Sequence, residues 1–168
     1  VLKGDANLMP PTQKVRVPKV TAPQIQLFDP EARFNDLLAR AEGLEAVRCA
    51  VVHPCDEGSL SGAMDAASHG LIKPVLIGPE GRIRRVAEEA GISLEGAEIV
   101  SVEHSHAAAE LAAAMAARRE VEIVMKGSLH TDEMLKAILA QPALRSGRRL
   151  SHVFRFDVPL YPKPIIVT

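Results

Sequence analysis

The sequence predicts a three-layer α/β/α sandwich on a mostly parallel sheet, and three observations carry that prediction. Short apolar runs recur through the middle of the chain: CAVVH at Cys49–His53, PVLIG at Pro74–Gly78, EIVSV at Glu98–Val102 and VEIVM at Val121–Met125. They are nearly continuous rather than alternating, which suits strands covered on both faces. Between them lie segments with apolar residues at helical spacing, some closed by a glycine. Strands separated by helices of this length pair in parallel through right-handed crossovers.

In chain order, residues 1–27 read as an extended basic tail or interdomain linker. Val1–Gln26 hold four prolines and no sustained periodicity, and each proline removes a donor and biases its predecessor away from helix. Asp29-Pro30 is a helix start, a capping residue followed by proline at the first helical position. Phe34, Leu37, Leu38 and Ala41 give that helix its apolar face and Gly43 its end, with Arg33, Asp36 and Arg40 on the wet side. After the first strand, Asp56 is placed to cap a helix running through Leu60, Met64 and Ala67 to Gly70. Ile83, Val86, Ala87 and Ala90 mark the next helix, closed by Gly91, and Ser105–Arg118 is an alanine-rich third. Strand Val121–Met125, a polar turn Lys126–Thr131 and a helix Asp132–Gln141 follow. Beyond Gly147, Leu150–Val158 and Lys163–Thr168 are strand candidates joined by PLYP, the pattern of a hairpin.

The bulk numbers narrow the function. A chain of 168 residues, 47% hydrophobic with formal charge −1, is sized for one core-bearing domain plus a tail. That charge favours neither nucleic acid nor a membrane surface. Aromatic residues at 3% leave little for base stacking. Two cysteines, Cys49 and Cys55, are too few for a disulfide framework, so reduced thiols and a cytoplasmic setting are expected. No apolar run approaches the ~20 residues of a membrane span. The chain begins at Val1 and stops at Thr168 within an apolar strand, so it reads as part of something longer.

The richest chemistry lies in the turn Lys126–Thr131. Gly127 allows close backbone approach, Ser128 and Thr131 offer hydroxyls, and Lys126 offers a charge suited to phosphate. His130 stands beside them. A strand–turn–helix presents its first-turn amides at the carboxyl edge of the sheet, where ligands and anions bind. Against this, Thr131 is equally suited to capping its helix, with Asp132 and Glu133 there for the dipole. His53, Cys55 and Asp56 end another strand and are positioned to line the same crevice, although their spacing does not make a metal site. His69, His104 and His106 read as helix-end or cap residues. Arg145, Arg148, Arg149, Ser151 and His152 form a basic patch, either a solvated turn or an anion-positioning edge.

Three segments together, VVHPCDEGSLSGAMDAASHGLIKPVLIGPEGRI, EIVMKGSLHTDEMLKAIL and GRRLSHVFRFDVPLYPKPIIVT, resemble the phosphate acetyltransferase and phosphate butyryltransferase family. The likeness runs from about Phe28 to Thr168, and MKGSLHTD, LSHV and YPKPIIVT are its most specific parts. The preceding PPTQKVR is similar to the connector of bifunctional relatives that carry an enoyl-CoA hydratase domain upstream. What the resemblance implies is transfer of an acyl group between coenzyme A and inorganic phosphate, giving acyl phosphate. Coenzyme A is then a substrate, and no separate cofactor or metal is expected. It implies an isocitrate/isopropylmalate dehydrogenase-like fold of two domains, an interdomain active site and a homodimer at full length. Lys126, Gly127, Ser128, His130 and Thr131 match the turn lining that cleft. Lys136 departs from the arginine many acetyltransferases have there. The aspartate, serine and arginine assigned to catalysis belong to a second half that follows IIVT in relatives. The expectation is therefore a first half, inactive alone. Two alternatives stand beside it: an anion- or nucleotide-binding α/β module without catalysis, and a relative of the decarboxylating dehydrogenases, for which no acidic metal cluster is visible.

Overall fold

The computed structural model describes residues 27, 29–148 and 150–168. The 1–26 segment read as a linker lies outside them. A four-stranded sheet in the order β3-β2-β1-β4 forms the centre. Its strands are β1 (Val47–Val52), β2 (Ile72–Gly78), β3 (Glu98–Ser101) and β4 (Ile123–Lys126), every neighbouring pair parallel. The chain builds outward from β1 to β3, then α4 (Ser105–Ala117) returns it to the other side of β1 for β4. That reversal makes β1 and β4 the two walls of the sheet's switch point.

Two cores explain the sandwich. In β1, Cys49 and Val51 face one layer, with α2 (Glu57–Ser68) and α3 (Glu80–Ala90) supplying Leu60, Ala63, Ile83 and Ala87. Ala50 and Val52 face the other layer, where α4 supplies Ala108, Ala109, Ala112 and Met115. Successive strand residues point to opposite faces, so a continuous apolar run is what a doubly covered strand requires. The alanines of α4 are small enough to lie close on the sheet, and four of them are buried. Pro74 sits inside β2 at little cost. The carbonyl of Ile77 accepts from the His53 N–H just past β1, and backbone alternation turns Pro74's nitrogen toward β3, one residue below the first pair, Val75 with Glu98.

Helix starts follow their sequence signals. Asp29 accepts from the Glu31 N–H at 2.9 Å to start α1 (Pro30–Ala41), and Asp56 accepts from the Ser59 N–H at 2.7 Å to start α2. Gly91 ends α3 with φ +65°. His104 caps α4, its Nδ1 accepting from the Ala107 N–H at 3.1 Å, and exposed His69 follows α2. The prediction differs for α5 (Thr131–Ala140). Its N-cap is His130, without a side-chain cap bond, so Thr131 is the first helical residue rather than the cap.

Arg33 is a second difference. Its side chain is largely covered, lying 3.4 Å from Asp157 and donating to the Tyr161 carbonyl at 2.9 Å. It ties α1 to a separate antiparallel hairpin, β5 (Phe154–Phe156) with β6 (Ile165–Val167). The expected helix face is not buried, since Phe34 and Leu37 are exposed. A partner across the sequence, invisible to helical periodicity, decided which side of α1 is covered.

Candidate functional site

The carboxyl edge at the switch point is assembled by backbone before any side chain matters. The Gly127 N–H donates to the Val52 carbonyl and the Ser128 N–H to the His53 carbonyl, both at 2.9 Å. The turn after β4 is thereby fastened to the end of β1. Gly127 is required for this approach: a Cβ there would stand 2.7 Å from the His53 carbonyl oxygen and closer still to that of Val52. His53 is buried with φ +54°. Its Nδ1 lies 2.9 Å from the Ser128 carbonyl. A carbonyl only accepts, so this contact assigns the ring proton to Nδ1.

A crevice of about 400 Å³ opens at this edge, lined by Asp56, Ser105, Lys126, Gly127, Ser128, Leu129, His130 and Glu133. The starts of α2, α4 and α5 all reach it. Four of the five residues singled out in the turn line it, Lys126, Gly127, Ser128 and His130. Thr131 is exposed at the head of α5, beside the lining rather than in it.

The side chains give this mouth an uneven electrostatic character. Lys126 folds back, its Nζ donating to the Leu129 carbonyl at 2.8 Å and the Gly127 carbonyl at 3.1 Å. Its charge braces the turn. The backbone and side-chain hydrogen bonds of Ser59 hold the Asp56 carboxyl below the usual carboxylate range, helped by the Ser128 hydroxyl and the Lys126 charge. At the head of α5, Lys136 lies 3.2 Å from Asp132 and pulls that carboxyl below its ordinary value. Lys136 is thus engaged within its own helix.

Glu133 is the residue that sequence reasoning passed over as a dipole charge. Its side chain is only 10% exposed. Oε1 is fully buried and lies 3.0 Å from His106 Nδ1, yet no group among the described residues donates a hydrogen bond to it. The imidazole is near enough for a hydrogen bond but its ring is turned at the wrong angle to make one. Ser105 was likewise hidden within a helix start.

The other candidates fall into structural roles. Cys55 and Cys49 are buried core residues, and burial pushes both thiols above their usual range, the wrong direction for a nucleophile. Among the described residues, no group of three His, Cys, Asp or Glu is placed to hold a metal ion. Arg145 caps α5, its guanidinium donating to the Leu139 carbonyl at 2.6 and 2.8 Å. His152 packs edge-on against Phe154, Arg148 is exposed, and Arg149 lies outside the described residues. No described helix is long and apolar enough to cross a membrane.

Fold and crevice together define an α/β protein with a parallel sheet and an open crevice at its switch point. In sequence, the chain is similar to proteins named phosphate acetyltransferase and phosphate butyryltransferase. It is 50% identical over 143 residues to the phosphate acetyltransferase of Rickettsia felis, a match covering 84% of this chain and 41% of that relative. It is 46% identical over 138 residues to the phosphate acetyltransferase of Rhizobium meliloti, 82% of this chain and 44% of that one. The phosphate butyryltransferase of Clostridium acetobutylicum is 27% identical over 136 residues, 80% of this chain and 45% of its own length. No protein-family model matches the chain. The chain spans less than half the length of the curated relatives it matches.

Proposed function

We propose that this chain is the first part of a phosphate acyltransferase, which moves an acyl group between coenzyme A and inorganic phosphate. The observation that carries the reading is the crevice at the switch point. The MKGSLH turn that most specifically resembles the family forms its floor, and the sequence likeness spans 84% of the chain. In this reading the thiol sulfur of coenzyme A attacks the acyl phosphate carbonyl, the new C–S bond replaces the C–O bond, and phosphate leaves. The thiol proton passes to a base.

The chain's own part is to bind and orient. The first-turn amides of α5 and the Ser105 hydroxyl offer donors, while Lys126 and Gly127 hold the turn in shape. Thr131 and His130 flank the mouth. The base and the phosphate cations belong, in this proposal, to the further length that the relatives possess. The full-length protein is proposed to be a cytoplasmic homodimer, and a hydratase domain upstream remains part of the proposal.

Acyl phosphate formation from acetyl-CoA or butyryl-CoA and phosphate tests the reading. Expected is turnover by the whole gene product and none by this chain alone. Normal turnover by this chain would overturn the division of labour, and turnover by neither would overturn the acyltransferase assignment.

A further inference from the structure

Resting on the acyltransferase reading, we infer that His53 is a positioning residue: its imidazole fixes the turn that floors the crevice, and with it the direction in which α5 enters the mouth. His53 holds Ser128 at two points. Its carbonyl accepts from the Ser128 N–H and its Nδ1 donates to the Ser128 carbonyl, each at 2.9 Å. Both main-chain groups of Ser128 are thus tied to one neighbour, and turning that residue about either backbone dihedral breaks one of the two bonds. His53 is itself anchored. Its N–H donates to the Ile77 carbonyl at 2.7 Å, and its carbonyl also accepts from the Cys55 N–H at 2.8 Å. The end of β2, the turn after β4 and the lead into α2 all meet on this residue.

Two features separate this clamp from ordinary packing at a strand end. The first is the backbone: φ is +54°, a left-handed conformation in which histidine is among the few non-glycine types found. Such conformations persist where the surroundings over-determine them, and they cluster at working sites. The second is what becomes of the turn's carbonyls. Those of Gly127 and Leu129 accept from Lys126 Nζ at 3.1 and 2.8 Å, and that of Ser128, between them, is taken by His53. All three residues line the crevice. Their carbonyl oxygens would repel a phosphorylated substrate, and each is instead occupied by a donor. Lys126 stands on an exposed stem, whereas the imidazole is only 7% exposed, so His53 is the fixed member of the pair.

The test measures acyl phosphate formation by the whole gene product carrying His53→Asn or His53→Gly, with Tm recorded to show that each is folded at the assay temperature. Asparagine places Nδ2 where histidine places Nδ1 and tolerates positive φ, so His53→Asn should keep kcat/KM within about threefold. Glycine accepts the same φ but has no donor, and His53→Gly should lose about 10- to 100-fold in kcat/KM, the scale of a small misplacement of a binding surface. Nδ1 carries its proton in the neutral and the charged ring alike, so the pH dependence of kcat/KM in His53→Asn should superimpose on that of the unaltered protein. In this chain labelled with 15N, the neutral His53 ring should show its proton on Nδ1. Turnover lost in folded His53→Asn, or an altered pH profile, overturns the inference in favour of an imidazole that exchanges protons with substrate. Full activity in folded His53→Gly reduces His53 to a stabilising role, and a proton on Nε2 removes the clamp; either overturns the inference. In each case the acyltransferase reading stands, because the unaltered gene product turns over. No turnover by that gene product overturns the reading and the inference together. Should His53→Gly fail to fold, His53→Asn and the ring proton still decide.

Discussion

Gly127 shows how one residue type can fix a site. Two hydrogen bonds hold the turn against β1, and a methyl group at Gly127 would meet backbone oxygens that cannot swing aside. Gly127→Ala is therefore expected at the costly end of overpacking, about 3 kcal/mol. For a chain of this size that lowers Tm by roughly 6–12 °C, readable by calorimetry; an unchanged Tm would show that the turn is not pinned there. Asp56 carries a different prediction. As the α2 cap, its replacement in Asp56→Ala should cost about 1 kcal/mol. Its carboxyl is held below the ordinary value in the folded state, chiefly by the Ser59 hydrogen bonds. The stabilisation is therefore full above the unfolded pKa of about 4 and fades as pH falls through the lower folded value. Denaturant melts of both proteins should show the gap closing below about pH 4 and constant above it. A gap that widened in acid would contradict the cap.

At the scale of elements, the strands and helices were legible because apolar runs and capping residues report local and two-sided burial directly. CAVVH and PVLIG are buried on both faces, and Asp29, Asp56 and Gly91 end their helices by local rules. What escaped the sequence was relational. The Phe34 face of α1 has helical spacing yet is exposed, because Arg33 meets Asp157 and Tyr161 more than a hundred residues away. Similarly, the turn's chemistry was visible in MKGSLH, but the inward turn of Lys126 depends on carbonyl geometry and the burial of Glu133 on how α4 and α5 pack. This difference in packing has a dynamic consequence. Amides of β1 and β2 lie in a covered sheet, whereas every residue of β5 and β6 is exposed. Two-stranded hairpins are marginal in water. Hydrogen exchange should be slowest at Val51, Val52, Leu76 and Ile77, and faster by several orders of magnitude at Arg155 and Ile166. Equal protection of hairpin and sheet would show that the hairpin shares the global unfolding unit.

For the molecule as a whole, the contrast is between a finished centre and an unfinished periphery. β1 and β2 are paired on both sides, but among the described residues β4 has a neighbour on one side only, and Ile123 on it is 43% exposed. Phe154, Phe156, Ile165, Ile166 and Val167 add exposed apolar surface on the hairpin, and Phe34 and Leu37 on α1. Contiguous exposed apolar surface and free strand edges drive association. The formal charge of −1 supplies almost no repulsion between copies. The isolated chain should therefore associate as its concentration rises, seen as a concentration-dependent sedimentation coefficient. Ile166→Lys, which places a charge on an exposed position of the hairpin, should reduce that association without lowering Tm, because Ile166 contributes nothing to either core. The same substitution should leave the amide signal of Ser128 unmoved, since Ile166 is not among the residues lining the crevice. A chain that stays monomeric at high concentration would mean that these apolar groups are too dispersed to act as one surface; a variant that moves the Ser128 amide would mean that hairpin and switch point are mechanically one unit.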